Sequence, residues 1–304
     1  MGEPMSVQFT AAPTLPGWLS ERFSCERRLA LLGDEQLHFV DQGTGPVVLL
    51  MHGNPTWSFL WRKVVGELPD CRCIAPDLLG LGMSSKLPTV QAHQLERHID
   101  AITQLILALE IDSFVVAGQD WGGPIGAGVA MRLPDRVRGM VWGNTGVVVP
   151  RRPLRTKAFH RFSHLPVVSD LAFRGLNLPA RLIHRVQGDP KAMDRWTRQA
   201  YRWPLQRLRD RAAPLGLARM VPDSEQHPSI ALVDAIGGFV ESWDGPAGLV
   251  WGTRDPILGR GLCRHRAVLP QARVWETEAG HFSQEEVPDA WAEAIRTVVE
   301  SAAT

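Results

Sequence analysis

Tyrosine and long apolar runs are the two clearest shortages of this 304-residue sequence. It contains one tyrosine, Tyr201, which excludes any site that needs two tyrosine hydroxyls. No apolar run reaches the roughly 20 residues of a membrane-spanning helix, and the formal net charge is +1. A charge so close to zero gives no overall field that would attract nucleic acid or a membrane, so we expect neither as a partner.

Cysteine is also scarce, with four residues, Cys25, Cys71, Cys73 and Cys263. Cys71 and Cys73 are alternate residues of an apolar run, so a strand would point their side chains to opposite faces. No C-x-x-C pair with metal-ligand spacing occurs, and no metal site is expected. Because the start of the chain lacks the basic and apolar segments of a secretory signal, we expect buried free thiols in a reducing cytoplasm.

Short apolar runs bounded by glycine and proline alternate along the chain with helical patterns. These runs predict strands at 37–40, 46–51, 72–75, 114–118, 139–142, 248–251 and 273–276. Apolar residues at helical spacing predict helices over 95–109 and about 284–301. Strands that alternate with helices indicate an α/β fold with a mostly parallel sheet, which binds ligands beyond the carboxyl ends of its strands.

A long segment without strand character separates the fifth predicted strand from the sixth. We interpret residues 147–225 as a helical cap inserted between a first core part, 1–146, and a second core part, 226–304. Residues 151–220 contain 14 arginines and 2 lysines against 4 aspartates. Two interpretations stay open: a positive surface for an anion or a partner subunit, and arginine stems that cover apolar surface while their charged ends face water.

The most specific motif is GQDWGG at 118–123, which directly follows a predicted strand. It has the G-x-nucleophile-x-G pattern of the nucleophile elbow, the sharp turn between a strand and a helix in α/β-hydrolases. The nucleophile position holds Asp120, whose carboxylate is ionised at neutral pH and can displace a leaving group from a saturated carbon to form an ester. Taken alone, the motif also fits an aspartate that caps the following helix.

A second motif, HGNP at 52–55, follows another predicted strand. In an α/β-hydrolase this loop and the residue after the nucleophile supply the backbone N–H groups of the oxyanion hole, here those of Asn54 and Trp121. The side chains of both residues also carry N–H donors, which could hold a departing anion. Taken singly, Trp121 could also be a core residue, and Asn54 could be a turn residue before Pro55.

Two further motifs supply an acid and a base. GTRDP at 252–256 follows a predicted strand and places Asp255 where a carboxylate would orient a histidine. GHF at 280–282 follows the last predicted strand and contains His281, the only one of the ten histidines in such a context. The order Asp120, Asp255, His281 is the nucleophile–acid–histidine order of the α/β-hydrolase fold. By itself, Asp255 also fits an Asp-Pro turn.

With these motifs, the chain resembles the haloalkane dehalogenases over nearly its whole length. The resemblance rests on HGNPTWSFLWR at 52–62, DLLGLGMSSK at 77–86, GQDWGG at 118–123, WGTRDPILG at 251–259 and AGHF at 279–282. It implies an α/β-hydrolase fold with a mostly parallel, eight-stranded sheet and a catalytic triad of Asp120, Asp255 and His281. It also implies a halide-binding pair formed by Asn54 and Trp121.

The combination of an aspartate acid with an asparagine–tryptophan halide pair resembles one of three branches of that family. A second branch carries a glutamate acid after an earlier strand, where this sequence has Asn144, which cannot serve as an acid. Another branch draws its second halide donor from a tryptophan of the cap, for which Trp196 and Trp203 are the candidates here. Members of the branch with the aspartate acid tend to self-associate, so the resemblance is also compatible with a homo-oligomer.

The resemblance implies hydrolysis of a small apolar halogenated substrate to an alcohol and a halide, without a cofactor or a metal. Three alternatives remain. An epoxide hydrolase shares the aspartate nucleophile but usually needs two cap tyrosines, and only Tyr201 is present. A luciferase-like monooxygenase usually carries the glutamate that Asn144 replaces. A non-catalytic protein of this fold often lacks a triad member, whereas Asp120, Asp255 and His281 are all present.

Overall fold

The computed structural model describes residues 7–154 and 158–303, and within them nine strands form one sheet. The strands are β1 Gln8–Ala11, β2 Arg27–Leu32, β3 Glu35–Gln42, β4 Val47–Met51, β5 Arg72–Pro76, β6 Phe114–Asp120, β7 Val137–Thr145, β8 Ala247–Gly252 and β9 Arg273–Thr277. They lie in the order β1-β2-β3-β5-β4-β6-β7-β8-β9. The strands from β4 to β9 pair in parallel, and β1 to β3 pair antiparallel at one edge. The mostly parallel sheet is therefore confirmed.

The described residues form nine strands, so the predicted number of eight is wrong. The additional strand β1 pairs antiparallel with β2 at the outer edge of the sheet. Its sequence, QFTA, is largely exposed, and an edge strand of this kind carries no buried apolar run that a sequence pattern could reveal. Strand β2 likewise lies outside the runs from which strands were predicted.

Helices flank the sheet and fill the interval between β7 and β8. The α-helices of the described residues are α1 Gly17–Ser20, α2 Arg62–Gly66, α3 Leu95–Ala108, α4 Gly122–Arg132, α5 Ala158–His164, α6 Val168–Asp170, α7 Leu178–Leu182, α8 Arg195–Arg202, α9 Ala212–Arg219, α10 Ile230–Glu241, α11 Leu262–Val268 and α12 Pro288–Ala302. Helix α12 starts later than predicted, because Pro288 suits the first turn of a helix. No helix in the described ranges is both long enough and apolar enough to cross a bilayer.

The central strand β4 shows why these strands are continuous apolar runs. Its residues Leu49 and Met51 belong to the core on the side of α3 and α4, whereas Val48 and Leu50 belong to the core on the side of α12. Successive side chains of a strand point to opposite faces. Because helices cover both faces of the sheet, both sets of side chains are buried, and the strand needs apolar residues at every position.

A buried ionic cluster attaches helix α8 to helix α2 and to the loop that follows β9. The hydroxyl of Tyr201 donates to Glu285 Oε1 at 2.5 Å, and Arg62 binds the two oxygens of the same carboxylate at 2.6 and 2.9 Å. Lys63 adds a contact of 3.1 Å to Glu285 Oε2. Burial would raise the pKa of Glu285, but the charges of Arg62 and Lys63 and the hydrogen bonds from Arg62 and Tyr201 together outweigh burial and hold the pKa below its ordinary value. Glu285 is therefore an ionised anchor for the helices between β7 and β8.

All four cysteines are free thiols. Cys71 and Cys73 are buried, as predicted, but Cys25 is partly exposed and Cys263 is exposed, so the expectation of buried thiols is wrong for these two. Cys263 lies in the short helix α11, whose buried residues include Leu262. The adjacent position on a helix points away from that buried face, which leaves the Cys263 thiol in contact with solvent.

Candidate active site

Asp120 ends β6 in a sharp turn that leads into α4. Its φ is 52°, a left-handed conformation that residues with side chains rarely adopt. The carboxylate fits only because Gly53 lacks a side chain, since a Cβ there would lie 2.4 Å from Asp120 Oδ1. Thr145 of β7 donates its hydroxyl to the main-chain oxygen of Asp120 at 2.6 Å. The turn therefore presents the Asp120 side chain at the carboxyl end of the sheet.

The three residues predicted as a triad meet beyond the carboxyl ends of β6, β8 and β9. His281 Nδ1 lies 2.8 Å from Asp255 Oδ2, and His281 Nε2 lies 3.5 Å from Asp120 Oδ2. His281 and Asp255 are buried, whereas the side chain of Asp120 remains 17% exposed. With the Nδ1 proton directed at Asp255, Nε2 faces Asp120 and is the nitrogen that can exchange a proton with a group next to Asp120.

Asn144 of β7 positions the acid. Its amide Nδ2 donates to Asp255 Oδ2 and to the main-chain oxygen of Gly252, each at 2.9 Å, and its Oδ1 accepts from the Gly252 N–H at 2.7 Å. The N–H of Ile257 donates to Asp255 Oδ1 at 2.7 Å. Burial would raise the pKa of Asp255, but the hydrogen bond from His281 and other donors outweigh burial and lower the pKa. Asp255 therefore stays ionised beside the histidine.

His281 lies between two carboxylates, and both affect its protonation. Burial alone would lower its pKa, but the hydrogen bonds and charges of Asp120 and Asp255 outweigh burial and raise the pKa from 6.5 to about 9. The imidazole therefore holds a second proton at neutral pH while both carboxylates are charged. Any event that neutralises Asp120 would lower this pKa and release the ring to act as a base.

We expect Asp120→Asn to lower the pKa of His281 from about 9 towards the ordinary 6.5, because it removes one adjacent charge. Imidazole NMR signals followed over a pH titration measure this shift. In the folded wild-type protein the pKa of His281 is raised, so the protonated ring stabilises the fold. This contribution is complete below pH 6.5 and is lost as the pH rises to about 9. Urea unfolding should show that the free energy of unfolding falls less between pH 6.5 and 9 in the variant than in the wild-type protein. An unchanged pKa would rule out Asp120 as a cause of the shift.

Asn54 and Trp121 flank Asp120 with different donors. The N–H of Asn54 donates to Asp120 Oδ1 at 2.8 Å, whereas the N–H of Trp121 makes no such bond among the described residues. The Asn54 amide donates one proton to the main-chain oxygen of Pro214 in α9 at 3.0 Å. An amide nitrogen carries two protons, so one remains. The indole N–H of Trp121 has no hydrogen-bond partner within the described chain, and Trp121 is a buried residue with 8% of its surface exposed.

Gln119 is a site residue to which no motif of the sequence assigns a role. Its Nε2 donates to the main-chain oxygen of His281 at 2.9 Å and lies 3.2 Å from His281 Nε2. The side chain is fully buried, and its Oε1 has no partner among the described residues. The bond ties the loop that carries the histidine to the strand that carries Asp120. A glutamine in an otherwise apolar strand was the one available signal.

The two cap tryptophans considered as halide donors pack against other aromatic rings. The ring of Trp196 lies 6.1 Å from that of Trp18, and the ring of Trp203 lies 6.3 Å from that of Trp57. No ring contact or hydrogen bond of the described residues joins either tryptophan to Asp120. Asn54 and Trp121 therefore lie next to the nucleophile, whereas the contacts of these two tryptophans are with Trp18 and Trp57.

Comparisons with known proteins agree with this geometry. The family model described as alpha/beta hydrolase fold matches residues 46–288. A protein of Mycobacterium tuberculosis named haloalkane dehalogenase 2 is 36% identical over 96% of this chain and 98% of its own length. A cis-3-alkyl-4-alkyloxetan-2-one decarboxylase of Shewanella oneidensis is 29% identical over 84% of this chain and 82% of its own length.

A solved structure provides a comparison at the level of the fold. The haloalkane dehalogenase DbeA of Bradyrhizobium elkani matches with a TM-score of 0.80 at 22% identity, over 98% of this chain and 99% of that chain. At that identity the likeness shows the fold alone. The 36% identity to the mycobacterial protein extends over nearly the whole of both chains. Together with the match to the family model, it shows that this chain belongs to the haloalkane dehalogenase family of the α/β-hydrolase fold.

Proposed function

We propose that this chain hydrolyses the carbon–halogen bond of small apolar haloalkanes and gives an alcohol and a halide ion. The observation that carries the proposal is the geometry of Asp120, whose Oδ1 accepts the N–H of Asn54 at 2.8 Å while Oδ2 lies 3.5 Å from His281 Nε2. The indole N–H of the next residue, Trp121, offers a donor for an anion. The name of the mycobacterial relative supports the same activity.

In the proposed first step, Asp120 Oδ2 attacks the carbon that bears the halogen. Oδ1 is held by the N–H of Asn54, which orients the carboxylate for this attack. A carbon–oxygen bond forms as the carbon–halogen bond breaks, and the bonding electron pair leaves with the halide. The indole N–H of Trp121 and the second amide proton of Asn54 stabilise the negative charge that develops on the halogen. The bond to Pro214 fixes the orientation of that amide.

In the proposed second step, water attacks the carbonyl carbon of the Asp120 ester. Ester formation removes the charge of Asp120 and so lowers the pKa of His281 from about 9. The ring then gives its Nε2 proton to solvent, and Nε2 accepts a proton of the attacking water. Asp255 stabilises the imidazolium ion through Nδ1. The N–H of Asn54 stabilises the oxyanion. Collapse of the intermediate breaks the bond to the alkoxide, which takes up the second proton of the water and leaves as the alcohol. The carboxylate is restored and His281 is again protonated, so one proton has passed to solvent for each halide released.

Bromide release from bromobutane tests the proposed activity. We expect the purified protein to release one bromide for each butanol formed, measured by ion chromatography and gas chromatography, and to leave epoxybutane unchanged. A cis-dialkyl oxetan-2-one is the third substrate, because the Shewanella oneidensis relative is named for that class. Turnover of the epoxide or the oxetanone without bromide release from bromobutane would refute haloalkane hydrolysis.

An epoxide hydrolase is less well supported, because the single tyrosine is engaged as an anchor. Tyr201 is fully buried, and its hydroxyl donates to Glu285 at 2.5 Å. Burial and the neighbouring Glu285 raise the pKa of Tyr201 well above its ordinary value. A hydroxyl committed to a buried carboxylate has no free proton with which to assist the opening of an epoxide.

We expect Tyr201→Phe to lower the free energy of unfolding by about 1–3 kcal/mol, the cost of losing a hydrogen bond to a buried charged group, and to preserve bromide release. The ring still packs on Phe59, whose centroid lies 5.5 Å away, so the variant isolates the hydroxyl. Urea unfolding and the bromide assay measure the two effects. Lost turnover at unchanged stability would instead favour a role for Tyr201 as an acid.

We also propose the division of the chain into core parts 1–146 and 226–304 and a cap, 147–225. The division is supported by the order of the elements, since strands β1 to β7 precede the proposed cap, helices α5 to α9 lie within it, and β8 and β9 follow it. The N–H of His281 donates to the main-chain oxygen of Val186 at 2.8 Å. This bond couples the proposed cap directly to the proposed base.

A further inference from the structure

The helices between β7 and α9 expose apolar side chains and arginines on one surface. Of the ten large apolar side chains exposed in the described chain, eight lie between residues 159 and 208. We define the cap patch as Leu165, Val167, Val168, Leu171, Arg174, Leu176, Arg207, Leu208 and Arg209. Its apolar members are between 45% and 77% exposed. A cluster of exposed apolar side chains of this kind marks an interaction surface.

The apolar part of the cap patch follows one helical run. The N–H of Leu171 donates to the main-chain oxygen of Val167 at 2.8 Å, and the N–H of Leu176 donates to that of Leu171 at 2.7 Å. Ala172 and Phe173 of the same run are buried. The run therefore has an inner face in the core and an outer face of leucine and valine side chains that no other described element covers. Val167 is 77% exposed and has a φ of 64°, which a β-branched residue rarely adopts.

Arginines surround this apolar face. The turn that begins at Leu208 packs against the same helical run, and Leu208 lines an open depression together with Arg174, Arg207 and Arg209. Arg174 is paired with Asp170 at 3.0 Å, whereas Arg207 makes no ion pair in the described part of the chain. The side chain of Arg209 is 74% exposed, with Asp210 at 3.9 Å. The arginine stems leave the apolar side chains exposed, so the interpretation that they cover the cap does not apply to this patch.

The combination of exposed leucine and valine with arginine selects one kind of partner. Guanidinium groups bind phosphate, and apolar side chains enter the boundary between headgroups and acyl chains of a bilayer. A second copy of this chain would bring arginine against arginine in a symmetric interface, which is repulsive. The phosphates of a nucleic acid would bind the arginines, but a nucleic acid would leave the leucine and valine side chains without an apolar contact. We propose that the cap patch binds the surface of a bilayer that contains anionic phospholipids.

The proposed contact is peripheral, because no helix of the described ranges could cross the bilayer. It replaces the expectation, drawn from the net charge of +1, that no membrane is a partner. That net charge is the sum of a basic segment, with 14 arginines and 2 lysines in residues 151–220, and a more acidic remainder. A local basic surface attracts anionic lipids within a Debye length, whatever the charge of the opposite side. The proposal stands on the cap patch alone and does not depend on the proposed activity.

Co-sedimentation of the full chain with vesicles tests the proposal. We expect binding to vesicles of phosphatidylcholine mixed with phosphatidylglycerol, weaker binding at high salt, and no binding to phosphatidylcholine alone. The double variant Arg207→Glu/Arg209→Glu should lower the vesicle affinity at least about tenfold, since it reverses two charges at the surface. The double variant Leu171→Ser/Leu208→Ser should lower it several-fold through loss of apolar contact.

Two matched variants outside the cap patch serve as controls. Arg138→Glu/Arg266→Glu reverses two exposed arginines of the core. Leu107→Ser/Ile257→Ser removes exposed apolar side chains that are 45% and 52% accessible. We expect both controls to bind as the wild-type protein does, and circular dichroism during heating checks that every variant is folded.

Three results would overturn the proposal. The first is no binding of the wild-type protein to the mixed vesicles, and the second is an equal loss of binding in the control variants. The third is evidence that a second copy of the chain covers the cap patch. In that case light scattering would give a multiple of the chain mass for the wild-type protein and the mass of one chain for Leu171→Ser/Leu208→Ser, and neither protein would bind vesicles.

Discussion

Asp120→Ala should reduce the rate of bromide release from bromobutane at least about 10⁴-fold, the scale seen when a nucleophile is removed from a triad. Alanine has no oxygen that could displace the halide. The base His281 and the donors Asn54 and Trp121 remain, but they can assist only the slow direct attack of water on the substrate. Initial rates at saturating bromobutane measure the loss.

Two further variants make this result interpretable. Alanine strains the left-handed backbone at residue 120, where φ is 52°, and asparagine tolerates that region better. Asp120→Asn should therefore fold with near-normal stability and lose as much activity, because an amide is a poor nucleophile. Asp112→Ala, which alters an exposed aspartate, should leave the rate unchanged. A rate for Asp120→Asn within tenfold of the wild-type rate would remove Asp120 from the role of nucleophile.

His281→Gln should stall the reaction after its first step and accumulate an alkyl ester on Asp120. The attack on the haloalkane needs only the carboxylate and the halide donors, whereas hydrolysis of the ester needs a base for water. We expect one bromide per protein chain in a burst, followed by turnover at least about 10²-fold slower than in the wild-type protein. Intact-protein mass spectrometry should show the added mass of one butyl group, and peptide mapping should assign it to Asp120.

The fold of this variant should survive, because Asp255 keeps its hydrogen bonds from Asn144 and from the N–H of Ile257. The double variant Asp120→Asn/His281→Gln is the matched control, and it should gain no mass. An adduct on any residue other than Asp120, or a bromide burst without an adduct, would contradict the covalent mechanism. Undiminished steady turnover in His281→Gln would show that another group acts as the base.

The architecture could be predicted in those places where burial imposes a pattern. Strand β4 lies between two layers of helices, so it reads as a continuous apolar run, and the strand was predicted within a residue of its observed bounds. Strand β1 at the edge is short and largely exposed, so it carries no such pattern and no apolar run predicted it. Helix α3, with one buried face, was predicted because that face imposes helical spacing on its apolar residues.

The site residues that could be predicted are those in motifs whose members lie close together in sequence. The glycines around Asp120 reflect a turn that adjacent residues must form, and the positions of Asp255 and His281 follow from strand ends that meet at one edge of the sheet. Gln119 lies in the elbow motif without a role of its own there, and the resemblance placed Asn144 where another branch has its acid but gave it no role. Their contacts to His281 and Asp255 join residues more than 100 positions apart in sequence, and the packing of the strands decides them.

The sequence by itself determined the chemistry that each site residue can perform: an aspartate on a strand-to-helix turn, an acid and a histidine in the order of the fold, and two N–H donors beside the nucleophile. These depend on residue type and on neighbours a few positions away. Only the tertiary structure decided the raised pKa of His281, the use of one Asn54 proton by Pro214, and the exposure of the cap patch. Each of these properties depends on which distant groups pack together, because electrostatic and hydrogen-bond energies follow distance in space and burial follows the shape of the folded chain.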